Sequence, residues 1–425
     1  MERKIAVIGG GAAGMMAGIM LADKGYKPVI YEKNDKLGRK LFITGKGRCN
    51  LTNNCSKEEL FQNIVTNPKF MFSAFNSFDS SDSISFFENL GLKIKTERGG
   101  RVFPESDHSS DVINVMSTKL KRLGVEIFLN TEVTDIITED CSEEDNKKIT
   151  KRVKGIVICN NGIKKEILYD DVVVATGGVS YPLTGSTGDG LKWARNMGLK
   201  VTVPRPALVP LEVKQGFCKD IMGLALKNIS VIFVAKVKNK YKTIYSDFGE
   251  MLFTHYGISG PVILSASSYV GKYISDDIKV VIDLKPAISE EQLDNRILRD
   301  FADNMNKQFR NSLDELLPKK LIPIIIDIAG IDPYKKVNII SKEERLKLVK
   351  TIKALELNVT ALRDYNEAII TQGGVSVKEI NPQNMSCKTV KGLSFIGEVL
   401  DVDALTGGFN LQIAWSTAAM LKKGE

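Results

Sequence analysis

Histidine is scarce in this chain: only His108 and His255 occur among its 425 residues. A histidine-rich metal centre is therefore not expected, and we predict no metal site. The six cysteines form no C-x-x-C pair, and no apolar run is long enough to cross a bilayer. Because an export signal is also lacking, we expect reduced thiols in a cytoplasmic protein without a membrane span. The cysteines lie at positions 49, 55, 141, 159, 218 and 387.

The charge balance is only mildly basic, with a net charge of +8. Such a value does not require a nucleic-acid partner. The hydrophobic content of 43% and the charged content of 26% are ordinary for a globular protein. The length allows two or three domains. Residues 1–50, however, hold ten Lys and Arg side chains against four acidic ones. That excess suits an anionic cofactor, although a solvated surface explains part of it.

The strongest motif is IAVIGGGAAGMMAGIMLADKGYKPVIYE, residues 5–32. A short apolar strand meets Gly9, Gly11 and Gly14, a helix follows, and a second strand ends at Glu32. In this G-x-G-x-x-G pattern the first glycine permits a tight turn, the second lets the backbone approach a pyrophosphate, and the third lets helix and strand pack closely. Glu32 stands where a carboxylate can accept a hydrogen bond from a ribose. A signal peptide is the alternative interpretation, but the glycine spacing and the acidic strand end favour a bound adenine dinucleotide.

The rest of the chain predicts an α/β protein with a Rossmann-like domain. Residues 57–98 and 111–123 are predicted to be helical, and phenylalanines of the first segment should pack inward. A three-stranded meander then separates the nucleotide motif from a buried strand at 171–175. This order resembles FAD-binding domains of the glutathione-reductase type. The acidic segment 139–148 is expected at a hairpin tip of the meander.

An insertion is predicted between Val201, where the composition changes, and Tyr365, where the character of the first domain returns. Its first part is β-rich. Strands are predicted at 229–238, 241–245, 250–255 and 279–284. Its second part, 289–355, is helical, and Ser289 and Ser341 each have a Gln or Glu three residues later, as in a capping box. The predicted domains are 1–198 and 363–425 for the two parts of the FAD-binding domain, 199–285 for the β-rich subdomain, and 286–362 for the helical subdomain.

Two loops near the nucleotide motif carry cations and small polar groups. Arg39 ends an E-x5-G-R pattern and can pair with a cofactor phosphate, its alternative being a surface arginine. The loop TGKGRCNLTN, residues 44–53, can approach a planar ring and donate hydrogen bonds to it. Cys49 within it could form a disulfide with Cys55 or a covalent flavin link. The disulfide is not favoured, because the spacing is not C-x-x-C and no partner motif supports it, and the flavin link is favoured still less.

The C-terminal segment FIGEVLDVDALTGGFNLQIAWS carries a second cofactor signal. A strand ends at Gly397-Glu398, where FAD domains commonly place an acid against the ribitol. Gly407-Gly408-Phe409-Asn410 then opens a helix whose N-terminus can face the pyrimidine end of a flavin. A helix N-terminus there stabilises the negative charge of a reduced flavin and raises its reduction potential.

His255, in FTHYGISGP, is the candidate catalytic residue, because histidine donates protons readily near neutral pH. Its alternative is a structural histidine in a turn. No second G-x-G-x-x-G follows a strand. A nicotinamide donor would therefore bind without a Rossmann domain of its own, or electrons come from elsewhere.

Six motifs together resemble the BaiN-like (YhiN-like) family of NAD(P)/FAD-dependent oxidoreductases: GGGAAG, TGKGRCNLTN, ATGG-x-SYP-x-TGSTGDG, THYGISGP, TQGGVSVKEINPQNM and GEVLDVDALTGGFNLQIAW. They span residues 5–415. The resemblance implies tightly held FAD, a transient NAD(P)H donor, and an inserted β-barrel-like plus helical domain. The family takes its name from a member thought to reduce a Δ4,6 double bond of a 3-oxo steroid.

The resemblance also implies the cofactor-binding residues. The pyrophosphate turn would be Gly9, Gly11, Ala12, Ala13 and Gly14, and the ribose side Glu32 and Lys33. Arg39, Lys40 and Arg48 would meet phosphates or flavin, and the backbone of Val133 would contact adenine. The remaining candidates are Thr44, Gly45, Cys49, Asn50, Ala175, Thr176, Gly177, Gly397, Glu398, Gly407, Gly408, Phe409, Asn410 and Leu411.

These features favour a flavoenzyme that passes a hydride from NAD(P)H through FAD to an unsaturated small molecule, with specificity supplied by the insertion. A flavin-dependent RNA-modifying enzyme is the first alternative. It is weakened because we identify no basic stripe interleaved with aromatic residues in the insertion. A non-catalytic redox sensor is the second alternative. The sequence leaves the acceptor, the preference between NADH and NADPH, and the oligomeric state open.

Overall fold

The computed structural model describes residues 3–141, 149–160, 162–275 and 277–421. The chain divides into two compact units, Met1–Ala207 with Tyr365–Glu425, and Leu208–Asp364. Most of the acidic segment expected at a hairpin tip, residues 142–148, lies outside the described residues. Among the described helices, none is both long and apolar enough to span a membrane.

The first unit begins with a stretch that alternates strands and helices. Its strands are β1 (Ile5–Ile8), β2 (Pro28–Tyr31), β3 (Thr52–Asn53), β4 (Ile64–Thr66), β5 (Ile94–Glu97), β6 (Arg101–Pro104), β7 (Glu126–Phe128), β8 (Glu132–Asp140), β9 (Lys151–Asn160), β10 (Ile163–Leu168), β11 (Asp171–Val174) and β12 (Arg205–Ala207). Its helices are α1 (Ala12–Asp23), α2 (Arg39–Ile43), α3 (Lys57–Gln62), α4 (Phe72–Ser77), α5 (Ser80–Asn89), α6 (Ser109–Arg122) and α7 (Asp189–Asn196).

The second unit is β-rich and then helical, and it ends in one further strand, Leu355–Leu362, which lies within the predicted helical subdomain 286–362. Its strands are β13 (Leu211–Val213), β14 (Ala225–Val237), β15 (Lys240–Phe253), β16 (Gly257–Ser259), β17 (Ile278–Asp283) and β18 (Leu355–Leu362). Its helices are α8 (Pro261–Val270), α9 (Glu290–Asp303), α10 (Ile322–Ala329) and α11 (Lys342–Lys353). The chain then returns to the first unit with β19 (Ile370–Gln372), β20 (Val390–Lys391), β21 (Leu393–Phe395), β22 (Asp403–Ala404) and α12 (Phe409–Ala419).

A five-stranded parallel sheet in the order β21-β11-β1-β2-β7 forms the centre of the first unit. All four side chains of β1 are buried, as expected for an apolar strand covered on both faces. In parallel sheets of this kind, ligands bind beyond the carboxyl ends of the strands. The β1 end at Ile8 therefore places the glycine motif at the edge where a site is expected.

The predicted meander is confirmed, since β8 and β10 both pair with β9 in antiparallel fashion. The predicted helicity of residues 57–98 is partly wrong. The β-branched run Ile64–Thr66 forms β4, which pairs with the distant strand β22, and Ile94–Glu97 forms β5, which pairs with β6. Long-range pairing decides the structure of such short segments. Within the same region Phe75 and Phe87 are fully buried, as predicted.

Six strands of the second unit close into a barrel in the order β13-β16-β15-β14-β17-β18, which confirms the barrel-like part of the insertion. Two separate strands were predicted at 241–245 and 250–255, but Lys240–Phe253 is one strand of fourteen residues. It stays continuous because β14 pairs along its length, with register shifts that absorb irregularities. Helices α9 and α11 begin with the predicted capping boxes, in which Ser289 and Ser341 accept from the backbone N–H groups of Gln292 and Glu344 at 3.1 and 3.2 Å.

Candidate functional site

A cavity of about 1290 Å³, part of it open to solvent, lies in the first unit. The carboxyl ends of β1, β2 and β11 border it, together with residues of α1, α2, α7 and α12. Sixteen of the predicted cofactor residues line the cavity: Gly9, Gly11, Ala12, Ala13, Glu32, Lys33, Arg39, Lys40, Thr44, Val133, Ala175, Thr176, Gly177, Glu398, Asn410 and Leu411. The fold thus brings together residues as far apart in the chain as Gly9 and Leu411.

The three motif glycines have different surroundings. A Cβ on Gly9 would lie 2.6 Å from the carbonyl oxygen of Ala175, and one on Gly14 would lie 1.8 Å from the carbonyl oxygen of Gly9. Neither position can accept a side chain. Around Gly11, by contrast, no atom lies within 4 Å of the corresponding point, because this residue faces the cavity. Gly9 and Gly14 therefore allow the backbone to pack closely, whereas Gly11 leaves open the space in front of the helix.

Helix α1 presents its N-terminus to this space. Its N-cap residue is Gly11, no side chain caps the first turn, and no acidic residue lies in that turn. The first N–H groups of a helix have no partner within the helix and carry a partial positive charge. An anion, such as a phosphate group, is the natural ligand of this end.

Glu32 is a buried carboxylate that holds the glycine turn in place. Its Oε2 accepts the Gly10 backbone N–H at 2.7 Å, and its Oε1 accepts the backbone and side-chain N–H groups of Asn34 at 2.9 and 2.7 Å. With a relative exposure of 8%, it still lines the cavity. In this structure Glu32 therefore organises the turn around the site in addition to any contact with a ribose.

The predicted cations of the site are already paired. Lys33 Nζ contacts Asp189 Oδ2 at 2.7 Å, and Arg39 donates to Asn34 Oδ1 at 2.9 Å. Lys40 Nζ donates to Glu398 Oε2 at 2.7 Å and to Ser180 Oγ at 2.6 Å. Such pairs fix the direction of long side chains at the wall of the cavity.

Glu398, predicted to contact a ribitol, is the acceptor of several groups. Besides Lys40, it accepts the Ser180 hydroxyl at 3.0 Å and the Thr371 backbone N–H at 2.8 Å. The carboxylate joins α2, the loop after β11 and strand β19 in one network. Its neighbour Gly397 does not line the cavity and packs instead against α1, where a Cβ would lie 2.8 Å from that of Ala13.

Helix α12 also begins at the cavity. Gly408 is its N-cap at φ +100°, and a Cβ there would lie 2.4 Å from the carbonyl oxygen of Thr52. Gly407, Gly408 and Phe409 do not line the cavity, whereas Asn410 and Leu411 do. The Asn410 amide accepts from Ala404 N–H at 3.0 Å and donates to the Ala404 carbonyl at 2.8 Å. The predicted helix start is therefore confirmed, and its first two turns form one wall of the cavity.

The loop 44–53 contributes less to the cavity than the sequence suggests. Thr44 lines it, but Gly45, Arg48, Cys49 and Asn50 do not. The Arg48 guanidinium pairs with Glu97 and with Asp107 (2.6 Å), and it lies 4.1 Å from the ring centre of Phe103. These contacts turn the arginine toward the β3-β6-β5 sheet instead of a cofactor phosphate.

The pKa values of two carboxylates that bond to Arg48, and of the Cys49 thiol, are shifted by their surroundings. The hydrogen bond from Arg48 lowers the pKa of Glu97, and those from Lys95 and Arg48 lower the pKa of Asp107. Burial raises the pKa of the Cys49 thiol. All six cysteines are free, so the considered disulfide between Cys49 and Cys55 is absent. A buried neutral thiol is also a poor partner for a covalent flavin link.

Thr176 lines the cavity and, among the described residues, its side chain lacks a polar partner. Its Oγ1 is buried. Buried hydroxyls are nearly always hydrogen-bonded. This atom is therefore suited to bond a group that enters the site.

Several cavity residues were missed by sequence reasoning. They are Tyr31, Asn34, Gly38, Leu41, Thr131, Thr184, Gly185, Ser186, Asp189, Trp193, Ile369, Ile370, Val402, Ile413 and Ala414. Asp189 and Ser186 belong to the GSTGDG segment, whose position at the start of α7 was a usable signal. Gly185 belongs to the same segment. Others lie inside the motifs quoted above without having been singled out, namely Tyr31, Gly38, Thr184, Val402, Ile413 and Ala414, and the rest show no pattern of their own.

His255 lies in the second unit, in the loop between β15 and β16, and its side chain is exposed. Its ring centre lies 4.6 Å from that of Tyr256. Its catalytic role stays a prediction. Among the residues that the structure covers, no cluster of three or more His, Cys, Asp or Glu side chains could hold a metal ion.

The chain is similar to the proteins of one known family over almost its whole length. The family model described as HI0933-like protein Rossmann domain matches residues 3–423. The chain belongs to the HI0933-like family. This is a family of flavin oxidoreductases, and the Rossmann-type FAD-binding fold predicted from the sequence is confirmed.

Two relatives of this HI0933-like chain are similar over nearly their whole length. It is 32% identical to the ribosomal RNA dihydrouridine synthase of Haemophilus influenzae over 414 residues, covering 97% of this chain and 96% of the relative. It is 29% identical to the 3-dehydro-bile acid delta(4,6)-reductase of Clostridium scindens over 422 residues, 97% of each. A crystal structure of 3-ketosteroid delta1-dehydrogenase from Sterolibacterium denitrificans shares the fold, with a TM-score of 0.50, 14% identity and 98% coverage of both chains.

Proposed function

We propose that this chain holds FAD in the cavity of its first unit and reduces a carbon–carbon double bond conjugated to a carbonyl group, with NAD(P)H as the electron source. The observation that carries the proposal is the shared chemistry of its two full-length relatives. A delta(4,6)-reductase acting on a 3-dehydro-bile acid saturates a bond conjugated to the 3-oxo group. Dihydrouridine is uridine saturated at the bond conjugated to the uracil C4 carbonyl.

The cavity residues fit FAD. The open space in front of Gly11 and the uncapped start of α1 suit a pyrophosphate. Glu32 lies at the end of β2, where a ribose would be held. The unpartnered Thr176 hydroxyl and the start of α12 suit the polar atoms of a flavin. Bound FAD would supply hydride transfer between the nicotinamide and the acceptor.

The chain's own groups would bind and orient the flavin and the acceptor, and would donate the proton. The partial positive charge at the α12 N-terminus would favour the negatively charged reduced state of a flavin held against it. The Lys40–Glu398 pair fixes one wall of the cavity, and the apolar side chains of Ile369, Ile370 and Val402 limit water there. For each double bond reduced, one hydride and one proton are added and NAD(P)H is oxidised to NAD(P)⁺. We propose His255 as the proton donor.

The test is an anaerobic titration of the purified yellow protein with NADH and with NADPH. Either donor should bleach the flavin absorbance within seconds to minutes. A Δ4,6-3-oxo steroid or a simple cyclic enone should then restore the colour, and mass spectrometry should detect a product carrying two more hydrogen atoms. Failure of both donors to reduce the flavin would exclude the nicotinamide part of the proposal. Reoxidation by dioxygen alone would exclude the enone part.

Uracil in ribosomal RNA is the second candidate acceptor, favoured by the 32% identity to a ribosomal RNA dihydrouridine synthase. The same reduced protein is offered an unmodified ribosomal RNA transcript, and the nucleosides are analysed for dihydrouridine. Conversion of the transcript but not of the steroid would assign the RNA acceptor, and the reverse would assign the small molecule.

The role of His255 is tested with His255→Gln. The variant should retain its flavin and its rate of reduction by the donor, because neither needs the imidazole. Its rate of acceptor reduction should fall by roughly 10²–10⁴-fold, the range typical of a lost general acid. An unchanged rate would assign the proton to another group or to water.

A further inference from the structure

The tip of the β14–β15 hairpin is the most basic uninterrupted surface segment of the barrel. Residues 225–246 contain five lysines and no acidic residue. Four of these lysines, at 236, 238, 240 and 242, lie within the seven residues KVKNKYK at the tip. All four are exposed, and none takes part in an ion pair between described residues. Their positive charge is therefore available to a partner.

The hairpin presents these lysines in a fixed arrangement. Val237 pairs with Lys240, so the connecting loop is only Lys238-Asn239. Both loop residues have positive φ angles, +49° and +63°, as a tight turn of type I′ requires. The two strands continue into the closed barrel, where β14 is paired on its other side with β17. A turn of this kind on a paired sheet is stiffer than a long loop, so less ordering is needed on binding.

An aromatic side chain lies between the lysines. Tyr241 is 47% exposed, and its hydroxyl donates to the carboxylate of Asp277 on the neighbouring segment. Its ring also has the Lys279 ammonium 5.5 Å from its centre, and that ammonium is paired with Glu356 at 3.3 Å. The ring is thus held by its neighbours while much of it faces solvent. Lysines around an exposed, fixed aromatic ring form the pattern with which proteins bind single-stranded nucleic acid.

We propose that the hairpin tip Lys236–Lys242 binds the phosphate backbone of single-stranded RNA, with Tyr241 stacking on a base. RNA fits better than an anionic membrane, because the tip has no large aliphatic side chain to insert among acyl chains. The sequence-based statement that the insertion has no basic segment interleaved with an aromatic residue was wrong, because KVKNKYK places Tyr241 directly between Lys240 and Lys242. The fold adds Asp277 and Lys279, which come beside the ring from the neighbouring segment. The inference rests on the proposed function in its RNA form, in which the bound strand would carry the uracil to be reduced.

The test measures binding of a fluorescein-labelled 20-nucleotide oligo(U) to the flavin-loaded protein by fluorescence anisotropy at several salt concentrations. Lys238→Ala/Lys240→Ala should weaken binding about tenfold and lower the slope of log K against log salt by about 1.4, because two phosphate contacts are lost. Tyr241→Ala should weaken binding at least about fivefold, whereas Tyr241→Phe, which keeps the ring, should bind almost normally.

The matched control is Lys164→Ala/Lys165→Ala, which removes two exposed lysines from β10 of the first unit. It should leave binding within about twofold of the parent protein. If the hairpin variant and the control variant lose the same affinity for oligo(U), only the net charge of the protein matters, and the inference is overturned. Stronger hairpin-dependent binding to vesicles of 30% phosphatidylglycerol in phosphatidylcholine than to the oligonucleotide would also overturn it and assign a membrane surface.

Failure of this inference can be separated from failure of the proposed function. Lys238→Ala/Lys240→Ala should keep its flavin and its reduction by NADH or NADPH. If the parent protein binds oligo(U) through the hairpin but no donor reduces its flavin, only the proposed reaction fails. If the flavin is reduced and an enone reoxidises it, but oligo(U) binding ignores the hairpin substitutions, only the RNA-binding surface fails.

Discussion

The ammonium of Lys40 and the carboxylate of Glu398, 358 positions apart in the chain, are bonded at 2.7 Å on the wall of the cavity. Both side chains are only about one-fifth exposed, at 21% and 23%. An ion pair of intermediate burial contributes little by itself, but removing one partner leaves a poorly solvated charge. The pair therefore ties the segment after the nucleotide turn to the C-terminal part of the same unit.

Replacing one partner of this ion pair should lower the free energy of unfolding more than replacing both partners. Glu398→Gln is expected to lower the free energy of unfolding by about 1–3 kcal/mol, because Lys40 loses its counter-charge. Lys40→Met/Glu398→Gln should recover part of that loss. Urea denaturation of the parent protein, Lys40→Met, Glu398→Gln and the double variant measures the coupling between the two side chains. If the losses in free energy of unfolding of the single variants simply add up in the double variant, the two groups act independently.

The contrasting surroundings of Gly11 and Gly14 predict opposite effects of the same substitution. Gly11→Ala should leave the stability of the flavin-free protein within about 0.5 kcal/mol, because its φ of −78° suits alanine and the space is open. Its flavin content should nevertheless fall strongly, since the methyl group occupies the space before α1. Gly14→Ala should destabilise the fold itself by about 3 kcal/mol or more. Flavin absorbance per protein and thermal unfolding distinguish the two, and full flavin content in Gly11→Ala would contradict this assignment of the pyrophosphate position.

The unpartnered hydroxyl of Thr176 predicts a trade between stability and cofactor affinity. Thr176→Val should stabilise the flavin-free protein slightly, because it removes a buried hydroxyl that lacks a hydrogen bond. It should weaken flavin binding about fivefold, the loss of roughly one hydrogen bond. Thr176→Ser keeps the hydroxyl and is the matched control. Calorimetric titration of flavin-free protein gives the affinities, and equal affinity of the valine variant would show that the hydroxyl bonds no cofactor atom.

Arg48 and Arg39 should respond differently to replacement by methionine. Arg48→Met should leave the flavin content unchanged, whereas Arg39→Met should lower it, because only Arg39 lines the cavity. Arg48 lowers the pKa values of Glu97 and Asp107, so these carboxylates stabilise the fold above their ordinary pKa values and lose that contribution as the pH falls. In Arg48→Met both pKa values should move upward, measurable by NMR titration of the carboxyl carbons. Loss of flavin in Arg48→Met would support the prediction from the sequence that Arg48 contacts a phosphate or the flavin.

Cys218 predicts a loss of stability at alkaline pH. Burial raises the pKa of its thiol to about 12, above the ordinary value of 9.0. Between these values the unfolded chain ionises and the folded one does not, so the free energy of unfolding falls as the pH rises. One thiol contributes about 1.4 kcal/mol per pH unit in that window and nothing below it. Cys218→Ala should show a correspondingly shallower decline than the parent protein in urea denaturation between pH 9 and 11, and identical slopes would mean that the thiol ionises in the folded state.

Local chemistry determined the parts of the fold that the sequence predicts well. The capping boxes at Ser289 and Ser341 depend on neighbouring residues, and the structure has them as predicted. The strand at Ile64–Thr66 and the continuous β15 depend on partners far along the chain, and there the predictions were wrong.

The same distinction holds for the site. Gly11, Glu32 and Asn410 belong to recognisable motifs and line the cavity as predicted. Trp193, Ile369 and Val402 also line it, but each follows an ordinary apolar pattern and reaches the cavity only through tertiary packing. Arg48 shows the reverse case, in which a motif residue finds nearer carboxylates.

The antiparallel pair formed by β12 and β19 sets the two ends of the 157-residue excursion Leu208–Asp364 side by side, with Ala207 opposite Ile370. The Tyr181 N–H donates to the carbonyl of Tyr365 at 2.8 Å and anchors the returning chain nearby. A segment that leaves and re-enters through adjacent strands can be excised, lengthened or exchanged without altering the path of the host. The barrel and its helices can therefore be replaced or lengthened as one inserted unit, while the strands that carry the nucleotide motif keep their positions.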